Sequence, residues 1–383
     1  MESLAAFAYA AFPPDFNSAP QEVVFRVHQA YRAGRLIPRE TSTETNRREF
    51  LASMEHLAAS RLSRRELLFV SRCKGYCDEA RHAADHNEIT VACRSISAAQ
   101  MFADSLQISP EARLLCRSEI VPAEAYLDEL WGDLHSAWEK VLESARIDQE
   151  LEEHYSYHGT HAHRLHLLNR LVRLEAAISG LLPAMKLARV VLQYQSGKRC
   201  QMPFPGAWGH EYTRHLPPGL LRFFTVQLVM EIAGIVAEAH PTQLRPAIEM
   251  ILDSDALEQG EVFWTSYVRR WMELKVLATG NPTPYLTHCA DYLAWPALRV
   301  AALWDTTALD AALTCKSLQP EQSVPFIQEV LRDLGNAHYF PRPLRRIVAR
   351  MQAELGWAPA PVRCRAAENK VFVVDRNKEK ANE

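Results

Sequence analysis

The 383-residue chain has little excess of either charge sign: 43 basic residues stand against 46 acidic ones, for a formal charge of -3. So close a balance supplies no overall pull toward nucleic acid or an anionic membrane, and a polyanion partner is disfavoured. Long apolar runs are lacking too. No uninterrupted apolar stretch reaches about 18 residues, which argues against a membrane span. The opening MESLAAFAYAAFPPDF carries Glu2 where the basic residues of a secretory signal would stand, and we expect no export. Also missing are the Gly-x-x-x-x-Gly-Lys-Ser/Thr phosphate loop, a Gly-x-Gly-x-x-Gly turn, a Gly-x-Ser-x-Gly elbow and an aspartate-rich prenyl-diphosphate motif. Nucleotide-dependent and serine-hydrolase chemistry are disfavoured accordingly.

Period-two alternation is almost absent. Only KVFVVD near the C-terminus reads as a strand, and no repeat of solenoid length is visible. What is present is helical periodicity, with 48% hydrophobic residues to build a core. Val23, Val24, Val27 and Tyr31 form the stripe of an amphipathic helix. Ser63, Ser109 and Thr160 mark helix starts, and Pro38, Pro110 and Pro122 mark stops. The expected fold is all-α: a large multi-helical, bundle-like domain with two structured Gly/Pro-rich loops and a short C-terminal extension. Residues 1–150 form an N-terminal helical region, 151–357 a second helical region with the candidate pocket, and 358–383 a flexible tail; the first two alternatively form one domain. The loops are YQSGKRCQMPFPGAWGHEY, residues 194–212, which contains three glycines and two prolines, and TGNPTPY.

The eight cysteines lie scattered through helical patterns in a chain far larger than a disulfide scaffold, and we expect reduced thiols in a cytoplasm. Cys73, Cys77, His82 and His86 have an order that suggests zinc. On one continuous helix, however, the two thiols point roughly 180° from the two imidazoles, so the four share an ion only if Gly75 breaks the helix.

The densest chemical signal is EEHYSYHGTHAHRLHLL, residues 152–168, with five histidines. Glu150, His154 and His158 recur every fourth residue and would share a helical face, an arrangement used by iron and zinc sites in helical bundles. Beyond Gly159, His161 aligns with Leu165, Leu168 and Val172, while His163 aligns with Leu167, Leu171 and Leu174. His166 falls with Arg170 and Arg173 on what reads as a solvated side. Glu150, His154, His158, His161 and His163 are therefore the candidate metal ligands, with iron or haem as the cofactor; the competing reading is that these histidines pack or hydrogen-bond.

Two lesser patterns stand beside them. His210, Glu211 and His215 form His-Glu-x-x-x-His, one residue longer than the zinc-protease helix motif and similar to the spacing of a rarer metallopeptidase class. HQAY, residues 28–31, resembles the segment around the distal histidine of haem-dependent tryptophan dioxygenases; the match ends there, and no role passes to His28. Trp264, Trp271, Trp295 and Trp304 would wall an aromatic pocket or fill the core. The functional expectation is an iron- or haem-dependent oxidase or oxygenase acting on a small-molecule substrate, with the 154–166 histidines and the 194–212 loop at its pocket. The alternative is a non-catalytic helical module that grips a protein partner.

Overall fold

The computed structural model describes residues 19–37, 52, 54–105, 107–199, 201–204, 206–238, 241–252, 262–278, 280–295, 301–335, 348–349 and 351–353. Among the described residues every regular element is helical. The KVFVVD segment and the tail lie outside them.

The helices, in chain order, are α1 (Pro20–Gly34), α2 (Arg64–Asp85), α3 (Ile89–Ala103), α4 (Pro110–Trp131), α5 (Leu134–Tyr155), α6 (Thr160–Ser179) and α7 (Leu181–Gln195). They continue with the single turn α8 (His210–Thr213), then α9 (Pro218–Glu238), α10 (Pro241–Leu252), α11 (Val262–Leu277), α12 (Pro282–Leu293), α13 (Ala301–Leu318) and α14 (Pro320–Leu334). Ser63 opens α2 with a reciprocal capping box to Glu66, and Ser109 caps α4. Thr160 is instead the first residue of α6, and its hydroxyl donates to the carbonyls of Asp148 and Tyr157.

Two expected stops are not stops. Pro110 sits at the first position of α4, where its missing N–H costs nothing, and Pro122 lies inside the same helix. An internal proline costs about 3 kcal/mol. Here the surrounding Ile120, Val121 and Ala123 are buried, while Arg81 and Arg170 donate to the carbonyls of Glu119 and Pro122. The packing of these flanks offsets that cost, and the helix runs on through the proline. The TGNPTPY loop is likewise shorter than read. Asn281 caps α12 and Pro282 begins it.

Helices α2, α3 and α4 enclose a small core of Cys73, Cys77, Ala80, Ala92, Ile96, Ala99, Cys116 and Ile120. Because α2 runs unbroken through Gly75, Cys73 and Cys77 are buried while His82 and His86 are exposed, as the helical wheel requires. The larger core joins α1 and α5–α7 to α9–α14. Helix α1 buries Val23, Val24, Val27 and Tyr31 against α12, α13 and α14. It approaches so closely that a Cβ at Gly34 would lie 2.1 Å from the Leu293 carbonyl oxygen. Arg26 pairs with Asp291, and Arg32 and Arg35 pair with Glu329, fixing the N-terminal helix to the far end of the chain.

One helix is more apolar than the count of uninterrupted residues suggested. Gly219–Val236 in α9 has a mean hydropathy of 1.6, enough by length and composition to cross a membrane. Half of it is buried inside the fold, with Leu228, Val229 and Ile232 in the core.

Candidate functional site

Helix α6 is the hub of the histidine-rich region. It packs against α5, α7 and α9, and most of its residues are buried, including Arg164, Asn169 and Arg170. Little of this helix faces solvent, His166 being exposed, so its buried polar residues need partners. Arg170 and Arg173, read from sequence as solvated, instead share Glu129, and Arg173 also reaches Glu231.

The five sequence-selected ligands are not brought together. Helix α5 ends at Tyr155 and Ser156 adopts a left-handed conformation (φ 59°), so the face shared by Glu150 and His154 does not continue to His158. All three are exposed. The His158 ring stacks on His215, with centroids 5.0 Å apart. His163 is half-buried, and its Nδ1 lies 2.8 Å from Oδ2 of the buried Asp148. Burial opposes its charging, but the Asp148 carboxylate prevails and raises its pKa. Among the described residues no group of three or more His, Cys, Asp or Glu side chains is placed to hold a metal ion. The His-Glu-x-x-x-His pattern is split as well, because α8 ends at Thr213 and His215 lies in the turn beyond.

His161 alone of the five is fully buried. Arg164 Nη2 approaches its Nδ1 at 2.8 Å, and since a guanidinium can only donate, Nδ1 must be an acceptor. The neutral ring therefore carries its proton on Nε2, which donates to the Tyr194 hydroxyl at 3.2 Å. The Tyr194 hydroxyl donates to the Gly209 carbonyl and accepts from the Gly209 N–H. Burial, with Arg164 beside the ring, holds the His161 pKa well below its ordinary value. The same arginine pairs with the buried Glu152, donates to the Ala207 carbonyl (2.6 Å), and lies over the rings of Trp208 and Tyr212. Gln149 accepts from the Ala207 N–H. The 201–209 loop is thus stitched to α5, α6 and α7. Arg164, with no exposed side-chain surface, is a fastening rather than a reachable reagent.

Open space occurs elsewhere. Helices α9, α10, α11, α12 and α13 surround a cavity of about 200 Å³. Ala233, Val236, Leu244, Ala278 and Leu313 make its apolar wall, and Lys275, Tyr285, Thr306, Asp310 and Thr314 supply the polar groups. Lys275 is drawn inward because Tyr267, Trp271 and Lys275 recur every fourth residue along the buried face of α11. Its ammonium lies 5.1 Å from the centre of the Trp271 ring and pairs with Asp310. On α13 the same spacing stacks Thr306, Asp310 and Thr314 opposite it. Trp271 Nε1 donates to the Thr306 hydroxyl, which donates onward to the Leu303 carbonyl. The Tyr285 hydroxyl lies against Cys289. Burial pushes Lys275 down to about 8. Asp310, with a quarter of its side chain exposed, stands on the solvent side of the pair.

None of these residues was singled out by the sequence reading except Trp271. The signal was there: a lysine four residues after a buried tryptophan falls on the apolar stripe, where an unpaired charge is not tolerated. Comparison with known proteins gives no match to a protein-family description, to a curated protein or to a solved structure.

Proposed function

We propose that the protein binds one small, largely apolar molecule with a single oxygen function, held at the Lys275–Asp310 end of the α9–α13 cavity. The observation that supports this is a largely apolar cleft of about 200 Å³ beside the Lys275–Asp310 ion pair. An apolar cavity of about 150 Å³ accommodates benzene, so this one admits a ring with a short substituent. Lys275 orients the oxygen, and the wall of Val236, Leu244 and Leu313 covers the rest.

The small-molecule substrate expected from sequence is retained in this reading, but its site moves from the histidines to the lysine. Thermal unfolding with benzyl alcohol, benzoate and toluene tests it. The oxygen-bearing rings should raise the Tm of the wild type, toluene should raise it less, and Ala233→Leu, which fills the cavity, should abolish all three shifts. Equal shifts in Ala233→Leu, or none in the wild type, would overturn the proposal. The iron and haem content of the same preparation is the companion measurement. Stoichiometric iron or a Soret band would instead favour the oxidase reading.

A further inference from the structure

Resting on that reading, we propose that Lys275 is a nucleophile that condenses with an aldehyde or ketone bound in the cavity, forming an imine. Three features of the structure place it there. The amine borders a cleft with room for the carbonyl compound, it is the nitrogen nucleophile among the residues lining that cleft, and a carboxylate is in contact with it. In the condensation Asp310 takes a proton from the ammonium, the freed amine attacks the carbonyl carbon, and a second nitrogen proton passes to the oxygen to give a neutral carbinolamine, whose loss of water leaves the protonated imine. Asp310 then returns the proton to the departing hydroxyl. One C=N bond forms, the C–O bond breaks and one water leaves, so no outside oxidant or reductant is required.

The surroundings favour the neutral amine this step consumes. Apolar walls and the Trp271 face replace water around Lys275, and desolvation is the usual way a lysine is made nucleophilic near neutral pH. Burial draws the Lys275 pKa down, which raises its share of free amine, while the Asp310 carboxylate in contact with it pulls the other way. Asp310 at the more exposed edge of the pair leaves a route for protons and water to the outside. Tyr285 and Thr306 are already engaged with Cys289, Trp271 and the Leu303 carbonyl, so the lysine and its carboxylate are left to meet the carbonyl group.

The test uses the full chain at neutral pH with benzaldehyde and sodium cyanoborohydride, which reduces an imine to a stable secondary amine. Peptide mapping should find a single benzyl group on Lys275, in excess over the exposed Lys74 by on the order of 10-fold or more. Lys275→Met should lose that adduct while keeping its fold. Labelling spread evenly over the exposed lysines, or unchanged total labelling in Lys275→Met, would overturn the inference. Benzyl alcohol, which cannot form an imine, separates this from the binding proposal. A Tm shift with benzyl alcohol but no Lys275 adduct with benzaldehyde sinks the imine alone, whereas the absence of both sinks the cavity as a binding site.

Discussion

Two buried ion pairs set the two halves of this molecule apart. Glu152–Arg164 lies beneath the 201–209 loop, with no exposed surface on the arginine and bonds from it to Ala207 and His161. Lys275–Asp310 lies at the edge of a 200 Å³ cavity, with its carboxylate partly open to water. The first pair is surrounded by groups that depend on it, and the second by space. A buried charge knit into a network fixes conformation; a buried charge beside a void is free to meet something else. Histidine density drew attention to the first region, whereas the proposed binding site lies in the second.

The comparison is broken most directly at Arg164. Arg164→Met leaves Glu152 buried without its cation and strips a donor from His161 and from the Ala207 carbonyl. A severed buried pair typically costs about 3–5 kcal/mol. The expected outcome is a denaturation midpoint lowered by that amount, with proteolytic cleavage appearing in the 201–209 loop. A loss under about 1 kcal/mol would mean that the network does not fasten the loop.

Glu152 provides the next largest effect, and one with a pH signature. Burial raises its carboxyl to about 7, against the opposing pull of Arg164. In the interval between its ordinary value and 7 the folded chain holds a proton that the unfolded chain has released. Stability from this group is therefore full at low pH and falls as pH rises through that window. Glu152→Gln, which resembles the protonated acid, should lack the trend. Wild type should gain stability on the variant as the pH is lowered from 7.5 to 4.5. Parallel stability curves for the two proteins would remove Glu152 as the titrating group.

Much of the fold was legible because helices announce themselves in period and caps. The stripe of α1 and the opposed faces of Cys73 and His82 follow from 3.6 residues per turn, and Ser63 marks the start of α2 by its N-cap residue type. Pro122 was misread because a proline shows its local cost in the sequence, while the packing of its buried flanks against other helices, which offsets that cost, does not. The candidate site was hidden for a similar reason. Glu150, His154 and His158 match a ligand spacing only while the helix continues, and the left-handed Ser156 ends that regularity. Lys275 and Asp310 are 35 positions apart on different helices, and neither forms a motif with its own neighbours.

A smaller test of the fastened half falls on the loop backbone. Gly206 has φ 122°, a region that L side chains rarely adopt, and an added Cβ would come 2.7 Å from Gln149 Oε1. That oxygen also accepts the Ala207 N–H. Gly206→Ala should destabilise the protein by about 1–3 kcal/mol, measured by urea unfolding, and should increase exchange of the Ala207 amide. An unchanged midpoint would show that the loop re-forms without its glycine.

The smallest effect is expected at Lys275, and its smallness is the point. Lys275→Met keeps an unbranched stem of similar volume against Trp271 and removes the cost of holding an ammonium among apolar walls. Asp310 loses its partner but retains water on its exposed side, so no fully buried charge is stranded. Replacing a buried ionic group by a hydrophobe of matching shape is often neutral, and we expect a change within about 1 kcal/mol in either direction. Urea unfolding of Lys275→Met beside Arg164→Met reads the contrast in one experiment, with the same residue introduced at two buried cations. If the two lose equally, Lys275 is as much a fastening as Arg164, and the distinction between a knit pair and an available one fails. If Lys275→Met keeps its stability while the ring compounds no longer raise its Tm, the fold does not depend on the amine that binding requires.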